Sequence, residues 1–269
     1  MTGRTTIQGA ERVDSASHPA ARRVRDVLRS TGRPRTIVID DEENIDRALR
    51  CGVPIDSLYF AEGSPPRSSL LAEREGVQAF ALAGSITRDL FGDGKRARVF
   101  ALARAPRPAR LSRLRGGSGD LVVLDGVRLM GNIGAIIRTA HALGADGAVL
   151  LDSGLRSVFD RRLIRASRGL VFSLPVVLCT PEEFSGFVRE EGLPLAVLDS
   201  RQGRPPDALR PVPGRIGLVL GSERSGHSAQ LDELAELRCS IPMRPGVDSL
   251  NVSVAAAIAL FARLARPGS

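Results

Sequence analysis

Three short polar clusters in this sequence carry residue types that could do chemistry. The first is Gly131-Asn132-Ile133-Gly134, with Arg138 following among Ile136, Ile137 and Ala140. The second is Gly221-Ser222-Glu223-Arg224-Ser225-Gly226, and the third is Ser249-Leu250-Asn251-Val252-Ser253. Each comes after an apolar run (LVVLD, IGLVLG, CSIPM), and each is small, polar and at the mouth of a helix pattern. An arginine offers a planar fork of donors suited to bidentate phosphate contacts. Each residue also has a plainer reading. Arg138 can lay its stem along apolar neighbours with its charge in water, Glu223 beside Arg224 can be an exposed ion pair, and Asn251 can cap a helix.

Several other chemistries are excluded. A dinucleotide site needs GxGxxG after its first strand, whereas the glycines here are three apart, and neither a P-loop nor GxSxG is present. Cys51, Cys179 and Cys239 are odd in number and far apart, and His18, His141 and His227 do not cluster with them, so no disulfide framework and no metal site are expected. The N-terminus lacks the apolar core of a signal peptide, and no run approaches the roughly 18 apolar residues of a membrane span. The cytoplasm is the default expectation.

The net charge of +8 is unevenly spread, since residues 1–118 hold 21 of the 38 basic residues but only 14 of the 30 acidic ones. Within KRARVFALARAPRPARLSRLR, residues 95–115, eight basic residues occur with no acidic one. Such a stripe favours a polyanion, which makes Arg96, Arg98, Arg104, Arg107 and Arg110 candidate phosphate contacts; a solvated basic linker is the plainer reading. Arg161, Arg165 and Arg168 fall at i, i+4 and i+7, so a continuous helix would put them on one face. That face either grips phosphate or is solvated.

These residues need elements to hold them. Residues 1–18 are polar and patternless, and are expected to be a flexible tail. Residues 19–104 alternate helix and strand patterns: a basic helix from ARRVRDVLR, strands at TIVID, IDSLYFA, VQAFALA and RVFALARA, and helices at ENIDRALRCG and SSLLAEREG. They form an α/β unit large enough to fold alone. A linker rich in Pro, Arg and Gly follows over 105–119, and 120–269 reads as a second α/β domain. Its continuous apolar strands (LVVLD, GAVLL, LPVVLC, LPLAVLD, IGLVLG and CSIPM) argue a parallel sheet covered on both faces. A helix around LDELAEL precedes CSIPM, and a long small-residue helix ends the chain. In such sheets ligands sit beyond the carboxyl ends of the strands.

LDGVRLMGNIGAIIRTAHALGADGAVLL, then GSERSG, then SIPM with SLNVSVAAAIAL resemble the three motifs of the SpoU (TrmH-like) family of RNA ribose 2′-O-methyltransferases. DRRLIRASRGLVFSLPVVL and ARAPRPAR are similar to the thiostrepton and nosiheptide resistance enzymes of that family. The resemblance implies a SPOUT-like domain with a deep trefoil knot, preceded by a ribosomal-protein-like RNA-binding domain. It implies an S-adenosylmethionine pocket lined by Leu198, Gly221, Ile241, Met243 and Leu250, with Arg138 and Arg168 near cofactor or substrate. Asn132, Arg138, Glu223 and Asn251 match catalytic positions, and Arg165 and Arg168 fall among the RNA contacts. The implied reaction is 2′-O-methylation of one adenosine of 23S rRNA in its thiostrepton-binding region, giving resistance. The alternatives are another rRNA or tRNA nucleotide, or a non-catalytic RNA-binding protein of the same fold. The resemblance also implies a homodimer, for which Ile136, Ile137, Leu143 and the last helix are the expected contact surface.

Overall fold

The structure is a computed structural model that describes residues 10–32, 34–67, 76–92, 97–200, 202–222 and 226–264. These fall into two compact units. The first is the described part of Met1–Arg107 together with Phe159–Phe172, and the second is Pro108–Val158 with the described part of Ser173–Ser269.

The first unit is a mixed sheet flanked by helices. In chain order it contains β1 (Glu11–Val13), α1 (Pro19–Arg29), β2 (Thr36–Asp40), α2 (Glu42–Arg50), β3 (Ile55–Ala61), β4 (Gln78–Leu82), α3 (Gly84–Phe91) and β5 (Val99–Arg104). The strand order is β1-β4-β3-β5-β2. β1, β4 and β3 run parallel, while β5 is antiparallel to both of its neighbours, so β1 to β4 share one carboxyl end. Tyr59 is sandwiched between Phe80 and Phe100, with ring centroids 5.1 and 4.9 Å away. Val24 from α1 and Ile86 from α3 join the same core. Proline is tolerated in a first helical turn, where its missing N–H is no loss, and Pro19 opens α1 while the His18 ring accepts from the Ala20 amide.

Two expectations change here. The tail expected over 1–18 is structured at 11–13, because β1 pairs with β4 and Val13 is fully buried. A strand of three residues with one inward side chain has no periodicity to read. The helix expected at SSLLAEREG lies almost wholly outside the described residues.

The second unit is the covered parallel sheet. It contains β6 (Leu121–Asp125), α4 (Met130–Ala142), β7 (Gly147–Leu151), β8 (Val176–Cys179), α6 (Pro181–Glu191), β9 (Leu195–Asp199), β10 (Gly217–Gly221), α7 (Ala229–Glu233), β11 (Ala235–Ser240) and α8 (Val252–Leu264); α5 (Arg161–Ala166) belongs to the first unit. All pairings in the order β11-β9-β10-β6-β7-β8 are parallel. Alternate residues Leu121 and Val123, with Val149, Val197 and Val219, pack with Phe184 and Phe187 of α6. Their neighbours Val122 and Leu124 point to the opposite face. Helix α6 is fixed at its start by a capping box between Thr180 and Glu183.

The last strand differs from its expected position over 239–243. It spans Ala235–Ser240, carries a register shift between Ala235 and Leu237, and is preceded by a helix of only five residues. β11 is an edge strand with Cys239 as its one buried residue, so its apolar signal is weak. Pro242 cannot donate to a ladder, and proline seldom continues a strand; Ile241 and Met243 are therefore left in the loop.

Candidate active site

Because the six strands run one way, Asp125, Asp199, Gly221 and Ser240 reach the same sheet edge. The chain moves outward from β6 through β7 to β8, then crosses to the other side of β6 for β9 and β10. Such a reversal opens a crevice for ligands. A cavity of about 370 Å³ lies there, within the range of small-molecule sites, about 300–1,000 Å³. Leu198, Gly221, Ile241, Met243 and Leu250 line it, and so do Asp199 and His227, which sequence reasoning did not single out. Only their position beyond an apolar strand could have flagged them. Neither Arg138 nor Arg168 is among the lining residues.

The described residues that follow β10 are tied to one another and to β6. Ser222 and Gly226 exchange two backbone hydrogen bonds of 2.9 Å, and the Ser228 amide donates to Asp125 at 2.6 Å. A Cβ on Gly221 would overlap the Gly226 carbonyl carbon and the His227 nitrogen. Glycine is therefore required by the close approach of the returning backbone. His227 meets Asp232 at 2.7 Å, Arg238 donates to Asp232 at 2.6 Å, and its other nitrogen donates to Asp199 at 3.2 Å. The bonds from His227 and Arg238 hold the Asp232 carboxyl below its ordinary range. This chain of charges stiffens the polar wall of the cavity.

The first and third motifs meet directly. Asn132 sits in the first turn of α4, and the Asn251 amide donates to its side-chain oxygen at 3.1 Å. The Asn251 oxygen accepts from the amide and hydroxyl of Ser253 at 2.9 and 2.6 Å, so the helix cap is present too. One side chain thus starts α8 and orients Asn132. Arg138 follows Asn132 by six residues on α4, about 9 Å along the axis. Ile136 and Ile137 are fully buried while Arg138 is exposed, and among the described residues it has no ion-pair partner. Glu223 lies outside the described residues.

The basic candidates separate. Arg96 lies outside the described residues, whereas Arg98, Arg104, Arg107 and Arg110 are exposed. The stripe is interrupted by β5, whose Val99–Ala103 are buried, and its last arginine, Arg115, is paired with Glu190 and Glu191 of α6. The single face expected for Arg161, Arg165 and Arg168 is not formed. Helix α5 ends at Ala166, and Arg168 has a left-handed backbone, φ +51°. Arg161 is spent on an internal ion pair with Asp40. The expected dimer surface also changes, since Ile136 and Ile137 are already buried in their own chain. The exposed large apolar residues include Leu129, Val254, Ile258, Phe261 and Leu264.

The fold and this edge define a two-unit α/β protein whose second unit is a parallel-sheet domain with a small-molecule cavity at its carboxyl edge. The chain belongs to the SpoU rRNA methylase family, which matches residues 120–261, and residues 10–117 match the N terminus of thiostrepton-resistance methylase. It is similar to the 23S rRNA (adenosine(1067)-2′-O)-methyltransferase of Streptomyces laurentii, at 43% identity over 253 residues covering 93% of this chain and 94% of that one. The enzyme of the same description from Streptomyces azureus is 42% identical, covering 94% and 96%. Among solved structures, an RNA 2′-O ribose methyltransferase superposes with a TM-score of 0.80 at 27% identity, covering 94% and 98%. No helix among the described residues is long and apolar enough to cross a membrane.

Proposed function

We propose that this chain transfers a methyl group from S-adenosylmethionine to the ribose 2′-oxygen of one adenosine in 23S rRNA, in the thiostrepton-binding region. The observation that carries this reading is the likeness to the two Streptomyces enzymes over nearly the whole of both chains. The cavity fits the cofactor: Leu198, Ile241, Met243 and Leu250 offer apolar walls for an adenine ring, and Asp199, Ser222 and His227 offer polar groups. When bound, S-adenosylmethionine supplies a methyl group activated by the positive sulfur.

The chain's own residues then have two tasks. Positioning of the ribose supplies much of the rate in such a transfer, and the Asn132–Asn251 pair is the rigid element available for it. Arg138 carries a guanidinium, a fork of donors with no acceptor. It acts by holding the adjacent phosphate and stabilising the developing alkoxide, a role of charge rather than of a base, while the 2′-hydroxyl proton passes to that phosphate or to water. Glu223 is retained in the proposal on its motif match alone.

The same reading takes the second unit as trefoil-knotted and the protein as a homodimer. The segment between β9 and β10 supports the first point. Its Arg204 donates to Arg238 and accepts from Ser240 on β11, at 2.9 and 2.8 Å, and Arg263 ties α8 to carbonyls of 209–214. The second is supported by Val254, Ile258 and Phe261, which lie at i, i+4 and i+7 on α8 and form an exposed apolar stripe that a twofold contact would bury against itself.

Incubating the protein with 23S rRNA and labelled S-adenosylmethionine, then mapping ribose methylation, tests the function. A single methylated adenosine in the thiostrepton-binding region is expected; a modification on tRNA or elsewhere in rRNA overturns the assignment. Gly221→Ala should abolish cofactor binding measurable by calorimetric titration, because the Gly226–His227 backbone must shift to admit the methyl. Unchanged affinity would show that the cavity is not the cofactor site.

A further inference from the structure

The segment Phe159–Phe172 joins β7 to β8 of the parallel sheet, yet it folds as part of the first unit. Its ends are held together by stacking of Phe159 on Phe172, with centroids 5.7 Å apart. Its anchor is Asp40 at the carboxyl end of β2, which is 1% exposed. The Arg161 Nε donates to both carboxylate oxygens at 2.9 and 2.8 Å, and its guanidinium centre lies 4.3 Å from the centroid of the Phe91 ring. A second grip is steric. Gly169, at φ +73°, brings its backbone against α2, where an added Cβ would lie 3.3 Å from the Asn44 Cα. Asn44 in turn donates to the Asp40 carbonyl at 2.7 Å.

The four arginines of this segment divide into two spent on ion pairs and two unspent. Arg161 is neutralised by Asp40, and Arg162 by Asp160, which also caps α5 through the Arg162 amide. Arg165 and Arg168 make no direct ion pair among the described residues, although the Asp40 charge also acts on Arg165 at longer range, and Arg168 is exposed. Removing the Asp40 charge would free Arg161, unseat the segment and change where the two unspent arginines stand.

We propose that Asp40 is a positioning residue for RNA: through Arg161 it fixes the 159–172 segment on the first unit so that Arg165 and Arg168 present a preformed grip for backbone phosphates. The inference rests on the reading of the chain as an rRNA methyltransferase. Preformed geometry is what makes an arginine pair effective, since ordering a loose loop on binding would consume much of the contact energy.

The test compares wild type, Asp40→Asn, Asp40→Glu and the surface variant Arg165→Gln/Arg168→Gln for binding of a 23S rRNA fragment across a salt series. S-adenosylmethionine titration runs in parallel. Asp40→Asn should weaken RNA binding about tenfold, the scale of one or two charge-assisted hydrogen bonds, and raise the RNA KM more than it lowers kcat. Cofactor affinity should stay as in wild type, and Asp40→Glu should recover part of the loss. The surface variant, which leaves the buried pair intact, should flatten the salt slope by up to about 0.9 for each phosphate that is no longer neutralised. Adding Asp40→Asn to it should weaken binding no further. Wild-type RNA affinity in Asp40→Asn, an unchanged slope in the surface variant, or a defect in Asp40→Asn that falls equally on cofactor and RNA overturns the inference. Failure of the wild-type protein to bind the fragment overturns the functional reading instead.

Discussion

Arg138→Ala should lose about 10² to 10³ of the methyl-transfer rate under single-turnover conditions, the scale of removing one group that stabilises developing charge. Cofactor affinity should change little, because Arg138 is not among the residues lining the cavity. Stability should also change little, because the side chain is exposed while the packing of α4 is carried by Ile133, Ile136 and Ile137. Lysine at this position keeps the charge but not the two-pronged geometry, so Arg138→Lys should recover only part of the rate. The measurement is a single-turnover assay with labelled cofactor alongside calorimetric cofactor titration. A rate within about threefold of wild type, well inside the lower limit set by that scale, would remove Arg138 from the chemistry. Mixing Arg138→Ala with Asn251→Ala protein, each inactive alone, extends the test to assembly. Activity regained on subunit exchange would place Arg138 of one subunit at the site of its partner.

What could be read in the sequence divides along physical lines. β6, β7 and β10 are apolar on both faces, and five-residue runs such as LVVLD and GAVLL announce a covered parallel sheet without reference to anything distant. The apolar runs pointed only to the carboxyl edge of the sheet, and Leu198, Gly221, Ile241, Met243 and Leu250, which line the cavity, were legible through the resemblance to the SpoU motifs. The Asn132–Asn251 bond spans 119 positions and was reachable only as two separate motifs. Long-range charge pairing was not legible at all. Arg161 and Asp40 are 121 residues apart, and the helical spacing of Arg161, Arg165 and Arg168 pointed to a solvent or phosphate face. That spacing assumes an unbroken helix, and the left-handed backbone at Arg168 and Gly169 ends it. The isoleucines of α4 misled in another way, because a sequence shows which residues are apolar but not which neighbour covers them.

Arg263, in a tail that reads only as the end of a small-residue helix, should carry a comparable weight in stability. It is 3% exposed, and its guanidinium donates to both oxygens of Asp120, at 2.9 and 3.3 Å, and to the carbonyls of Leu209 and Val212 at 2.7 and 2.6 Å, with a further bond to Gly214. Asp120 also accepts from the Ile216 amide at 2.9 Å, so one buried pair joins the starts of β6 and β10 to the end of α8. Removing one partner of a buried pair leaves an uncompensated charge at a cost of about 3–5 kcal/mol. Here three carbonyls lose a donor as well. Arg263→Ala should therefore lower the melting temperature by roughly 10 °C, taking about 2–4 °C per kcal/mol for a chain of this size. Adding Asp120→Asn to Arg263→Ala should cost less than it does in the wild-type background, because the orphaned carboxylate has then become neutral. Arg263→Lys, with one ammonium in place of a five-donor fork, should fall between wild type and alanine. Thermal and urea unfolding of these proteins decides the matter, and a loss under about 1 kcal/mol for Arg263→Ala, the size of an exposed pair, would show that α8 is held by its apolar face alone. Because Val252 and Ala255 of the same helix line the cavity, a helix freed at its far end should also bind cofactor more weakly as temperature rises, well below the global melt.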